Sequence, residues 1–114
     1  MLPHDRRSSS RVETGHLVIH SEAENDPTAR CLGMAVTLDV NEFGLRMQST
    51  RTFSVGTRNR FNIALEEEVI HALGRVVHVA KVLNGTFEIG VEFLEISAGE
   101  IEKIRRYLSK KATA

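Results

Sequence analysis

A chain of 114 residues, 41% hydrophobic and 26% charged, has the size and balance of one folded domain and excludes a two-domain or disordered protein. Fifteen basic and fifteen acidic residues cancel to a net charge of zero, which argues against the broad basic surface of a non-specific nucleic-acid binder. No apolar run is long enough to span a membrane, the opening MLPHDRRSSS lacks the apolar centre of a secretory signal, and the lone Cys31 forms no internal disulfide; we therefore expect a cytoplasmic protein without membrane insertion.

Residues 1–11 carry Arg6, Arg7 and Arg11 against Asp5 alone, have almost no apolar content, and read as a flexible arm. The folded module is expected over 12–110. Leu17 and Ile19 alternate with their neighbours up to His20, as in a half-buried strand. SEAENDPT (21–28) reads as a loop, CLGMAVTLDV resumes strand character, and FGLRMQS follows after a break at Asn41-Glu42. Gly56 marks the next turn, after which Phe61, Ile63 and Leu65 share one face. VIHALGRVVHVAKV (69–82) is rich in β-branched residues, Asn84-Gly85 signals a hairpin, and TFEIGVEFLEI returns with Phe87, Ile89, Val91 and Phe93 on one side. About six strands with short connections in so small a chain must curl into a barrel to be paired. The end differs: Ser97 to Glu100 is a capping box, Ile101, Ile104 and Leu108 with Tyr107 form a helical stripe, and basic residues crowd the last turns, where they oppose the helix dipole.

Two features suggest an anion site. In Arg7-Ser-Ser-Ser-Arg11, preceded by Arg6, guanidinium forks four residues apart can converge on phosphate oxygens or on the O6/N7 edge of guanine. A basic tail that merely aids solubility would look the same. In Asp39-Val-Asn41-Glu-Phe-Gly44, alternate polar residues put both tips on one side, and Gly44 permits a positive φ or a close approach to the backbone. An ordinary turn would use the same residue types.

Taken together, the two features resemble the signature of PilZ domains, bacterial receptors for cyclic di-GMP: RxxxR followed, after some tens of residues, by (D/N)xSxxG. Here it stands as Arg7xxxArg11 and Asp39xAsn41xxGly44, and the resemblance continues through Ser54-Val-Gly-Thr-Arg58, Gly74-Arg-Val-Val and Ile89-Gly-Val-Glu-Phe93 into the C-terminal helix. The resemblance implies an all-β fold, a six-stranded antiparallel β-barrel with a C-terminal α-helix. It also implies an arginine arm that folds over cyclic di-GMP on the barrel surface. Carried over by position, Arg7 and Arg11 would grip guanine edges and phosphates with Arg6 as an auxiliary contact. Asp39 and Asn41 would bind a guanine edge, and Gly44 would keep the loop close to the ligand. Asn41 departs from the usual serine; it keeps a donor and an acceptor but is longer.

Other candidates are poorer. His16 and His20 lie too far apart on a strand to share a metal ion, and consecutive Glu66, Glu67 and Glu68 read as a solvated turn. Cys31 has no base partner in sequence, and no phosphate-binding glycine loop or nucleophile elbow is present. The expectation is therefore a binding protein rather than an enzyme, with no cofactor or metal, that relays cyclic di-GMP to an effector protein as its arm orders. A PilZ-type adaptor with a disabled nucleotide site is the alternative. A single-stranded nucleic-acid binder ranks last, because most of the six aromatic residues fall on faces assigned to the core. Contacts from Arg75 or His78 on the barrel wall are left open.

Overall fold

Apolar residues at every second position give a strand one face that must be covered, and most of this chain repeats that device. The structure, a computed structural model, describes residues 17–21, 33–82 and 84–113. In chain order they form β1 (Leu17–Ser21), β2 (Gly33–Asn41), β3 (Gly44–Ser49), β4 (Arg58–Leu65), β5 (Glu68–Lys81), β6 (Phe87–Glu95) and α1 (Ala98–Thr113). Pairing is antiparallel in the order β1-β2-β3-β6-β5-β4, and β1 also pairs with β4. The expected antiparallel β architecture with a C-terminal helix is the one adopted.

The inward faces follow the alternation closely on β4 and β6. Phe61 and Ile63 are fully buried and Leu65 nearly so, while Ile89 and Val91 are buried with Phe87 and Phe93 packed at the border of the same cluster. On β1 the buried side chain described is that of Val18, a position that the expected alternation of Leu17 and Ile19 leaves on the opposite face. Leu17, Val18 and Ile19 are apolar in succession, so the sequence carries no period there to set the phase.

Three register shifts interrupt the pairing elsewhere, one of them between Leu73 and Gly74 of β5, and the other two reset that phase. Between Thr37 and Asp39 the β2–β3 register shifts by one residue at Leu38. Thr37 opposes Met47 and Val40 opposes Leu45, and all four are buried, whereas Asp39 falls opposite Arg46 on the outer side. Unbroken alternation from Ala35 and Thr37 would have sent Asp39 inward. A second shift between Val76 and His78 inserts Val77 into β5 and keeps His78 opposite Gly90 on the outside.

Helix α1 is fixed at both ends. The Glu100 amide donates to Ser97 Oγ at 3.2 Å, which is the forward half of the expected capping box. The return half differs from expectation. Glu100 Oε1 accepts from the His71 amide of β5 at 3.2 Å, and Glu100 Oε2 pairs with Lys103 at 3.6 Å. Beyond the last β6 pairing at Leu73, β5 is therefore met by the helix: Lys103 Nζ also reaches the Val69 carbonyl at 3.5 Å. Ile104 and Tyr107 bury the expected stripe. The basic residues of the last turns oppose the dipole, but they also hold the β4–β5 turn. Arg106 bonds Glu68 at 3.2 Å, Lys110 pairs with Glu66 at 3.8 Å, and Lys111 contacts Glu66 as well. The three glutamates are thus partly paired rather than only solvated. Glu66 holds φ at 52°, an uncommon backbone for a non-glycine residue.

Candidate functional site

The β2–β3 hairpin turns in two residues, Glu42 and Phe43, between the paired Asn41 and Gly44. Two-residue loops usually need positive φ, yet among the described residues only Glu66, Gly56 and Gly85 have it. The turn is closed instead by a side chain. Asn41 Oδ1 accepts from the amides of Phe43 at 2.8 Å and Gly44 at 3.1 Å, satisfying two donors that the reversal leaves over. Phe43 contributes its carbonyl to the Phe93 amide of β6 at 2.8 Å, while its ring stands 76% exposed.

Gly44 is required for the second of its two expected reasons. Its φ is not positive, but a Cβ at this position would lie 2.0 Å from the Val91 carbonyl oxygen. β3 and β6 therefore pack at a distance that only glycine permits.

Asp39, Asn41 and Gly44 line one open cleft of about 330 Å³, together with Arg46, Val77, Gly90 and Glu92. Asp39 and Asn41, two residues apart, share one side of the sheet, and the bulge at Leu38 makes that the outer side. The floor is low because Gly90 lies between Arg46 of β3 and His78 of β5. Arg6, Arg7 and Arg11, and with them the arm over 1–11, lie outside the described residues, as do His16 and Cys31.

The wall is more charged than the motif suggested. Arg46 donates from Nε to Asp39 Oδ2 at 2.8 Å and pairs through Nη1 with Glu88 Oε1 at 3.0 Å. Burial by itself would lower the Arg46 pKa, but the bonds and charges of Asp39 and Glu88 outweigh it and leave the pKa raised, so the guanidinium stays cationic. Arg75 bonds Glu92 at 3.0 Å across the β5–β6 pair. Arg105 of α1 reaches Glu42 at 3.3 Å and ties the helix to the turn. Sequence reasoning missed Arg46 and Glu88. A readable signal existed, because a two-residue hairpin closing at Asn41 and Gly44 puts position 46 opposite position 39. A larger cleft of about 680 Å³ adjoins Glu88 and is lined by Leu38, Gln48, Lys81 and Asn84.

Among the described residues no three His, Cys, Asp or Glu side chains gather in a metal-binding group, and no helix is long and apolar enough to cross a membrane. Of the other histidines, His71 Nδ1 bonds Asn62 Oδ1, and His78 stands exposed beside Gly90.

The PilZ domain family model matches residues 5–110 of the chain. Among solved structures, the inhibitor of motility MotI/DgrA of Bacillus subtilis is similar with a TM-score of 0.74 at 17% identity, over 91% of this chain and 50% of that one. The PilZ domain of YcgR from Escherichia coli, solved with c-di-GMP, is similar with a TM-score of 0.67 at 15% identity, over 88% of this chain and 86% of that one. A YcgR chain in complex with c-di-GMP gives 0.67 at 12% identity, over 90% of this chain and 44% of that one. The present chain thus spans about half the length of MotI/DgrA, and identities this low speak to fold alone. No curated protein sequence matches the chain. With a family match running through nearly all of its length and a fold shared with solved PilZ domains, the chain belongs to the PilZ domain family.

Proposed function

We propose that this PilZ domain is a receptor for cyclic di-GMP, acting in the cytoplasm without a cofactor and passing the signal to an effector protein. A six-stranded antiparallel barrel serves as the platform. Arg7 and Arg11, aided by Arg6, grip phosphates and guanine edges, Asp39 and Asn41 take a guanine edge, and Gly44 keeps the turn close to the ligand. The observation that carries this reading is the placement of Asp39, Asn41 and Gly44 in one open cleft, in a chain that also has the RxxxR pair. A carboxylate accepts from the N1–H and N2–H groups of guanine, while arginine forks match its O6/N7 edge and the phosphates, so the residue types are complementary to the ligand. Relay follows from the arm. Ordering ten or so residues costs about 10 kcal/mol at about 1 kcal/mol each, which several bidentate contacts must offset, and the ordered arm then presents a new surface to the effector.

Calorimetric titration with cyclic di-GMP tests the receptor reading, with Arg7→Ala as the control. Micromolar or tighter binding that Arg7→Ala abolishes supports it, and absence of binding by two independent methods refutes it. Protease protection of the arm on adding ligand tests the relay.

A protein-binding adaptor is favoured by one observation, that Asn41 Oδ1 already accepts from two backbone amides of its own turn. Asn41→Ser separates the two readings. A wild-type protein that is silent, beside a serine variant that binds, would assign the loss of nucleotide binding to Asn41.

A further inference from the structure

We propose that Arg46 is an additional ligand-binding residue of this site, held before binding by Asp39 and opposed by Glu88. The inference rests on the cyclic di-GMP reading.

The geometry behind it is a chain of charges across three strands. Asp39 on β2, Arg46 on β3 and Glu88 on β6 are joined by contacts of 2.8 and 3.0 Å. Two carboxylates share one guanidinium, and nearby Glu92 is matched by Arg75. Among the described residues carboxylates thus outnumber guanidiniums on this wall, an unfavourable surface for a ligand with two phosphodiester charges. Among the described residues, Arg46 is the cation that lines the cleft, and its side chain is 35% exposed. A guanidinium has five N–H donors in a fixed fork and does not lose its proton, so it can exchange one anionic partner for another at little geometric cost.

The two acidic partners are not equivalent. Asp39 is almost wholly buried and bonds Nε, whereas Glu88 is 30% exposed and bonds the outer Nη1. A phosphate entering the cleft competes with Glu88, whose carboxylate can return to water, and leaves the Asp39 bond in place. Arg46 then bridges Asp39 and the phosphate. The same guanidinium keeps the Asp39 carboxylate from repelling the ligand whose guanine edge it reads. Glu88 is consequently an antagonist of binding, and Arg46 a contact.

This assignment separates two substitutions that a purely structural role would treat alike. Arg46→Gln should weaken cyclic di-GMP binding about tenfold or more, the expected loss for one charge-assisted contact. Glu88→Gln should tighten it about two- to fivefold, in line with removing one partly exposed opposing charge. Both variants break the Arg46–Glu88 pair, so a scaffold role predicts weaker binding in both, tracking any fall in urea stability measured in parallel. Weaker binding in both, or wild-type affinity in both, overturns the inference while leaving the receptor reading intact. If wild-type protein binds no cyclic di-GMP and Arg7→Ala changes nothing, the receptor reading fails and the inference falls with it.

Discussion

Replacing Gly44 by alanine adds a single methyl group where the backbone of β3 lies close against that of β6. That methyl would sit 2.0 Å from the Val91 carbonyl oxygen and 3.1 Å from its carbon, with Glu92 Cα at 3.3 Å. All three neighbours are backbone, so no side chain can swing aside, and the strands themselves must part by about 1 Å. Overpacking of this kind costs about 1–3 kcal/mol. Separation there also threatens the adjoining Phe43–Phe93 backbone bond, worth about 1 kcal/mol. The expected total is about 2–4 kcal/mol, or roughly 8–16 °C in Tm at about 4 °C per kcal/mol for a chain of this size. Urea unfolding with linear extrapolation is the assay, and the change should appear in the midpoint rather than in the slope. Gly99→Ala is the internal control. Its added Cβ meets nothing nearer than Ser97 Oγ at 3.9 Å, and in a helix the change should stabilise by about 0.5–1 kcal/mol. If Gly44→Ala fell within about 0.5 kcal/mol of wild type, the close strand approach would be wrong, and a clearance role toward ligand would be the better account of the glycine.

Truncating Ile104 to alanine, which empties a fully buried position beneath α1, should cost about 2–5 kcal/mol in the same assay. Ser97→Ala should cost about 1 kcal/mol by removing the oxygen that caps the Glu100 amide; a change under about 0.3 kcal/mol would mean the cap is replaced by water. Burial, then the Glu66 charge, raises the Tyr107 pKa above its ordinary 10.0. The folded state therefore keeps that proton where the unfolded chain has lost it. Stability from this group is complete below pH about 10 and declines as pH climbs toward the folded-state value, so Tyr107→Phe should flatten the alkaline limb of a stability–pH profile. An unchanged alkaline limb would refute that role for Tyr107.

Strand-period signals were legible wherever apolar and polar residues strictly alternate. Phe61, Ile63 and Leu65 read correctly because Arg60, Asn62 and Ala64 separate them, and two of the hairpin reversals were marked by Asn41 to Gly44 and by Asn84-Gly85, whose glycine has φ of 85°. β1 was ambiguous because its first three residues are all apolar. The bulges were illegible for a related reason: Leu38 and Val77 are themselves apolar, and VTLDV or RVVHV fits either phase of a strand equally well. The half of the site on β2 could be named from its motif. Arg46 could be placed opposite Asp39 by the hairpin register, whereas Glu88 could not, since β6 joins β3 from far along the chain. The backward half of the capping box failed because Glu100 had a better use, an amide on β5 that the sequence gives no means of foreseeing.

That use of Glu100, with Lys103 beside it, has a consequence for how copies of the chain behave toward one another. The amide of His71 and the carbonyl of Val69 belong to a stretch of β5 that β6 has already left, and an uncovered stretch of this kind is a template for a foreign strand. Two charged side chains from the first turns of α1 occupy those groups without extending the sheet. The helix is thus a guard against self-association as much as a source of packing energy, and a shortened chain ending before Ala98 would be expected to gain a sticky margin before it lost its core.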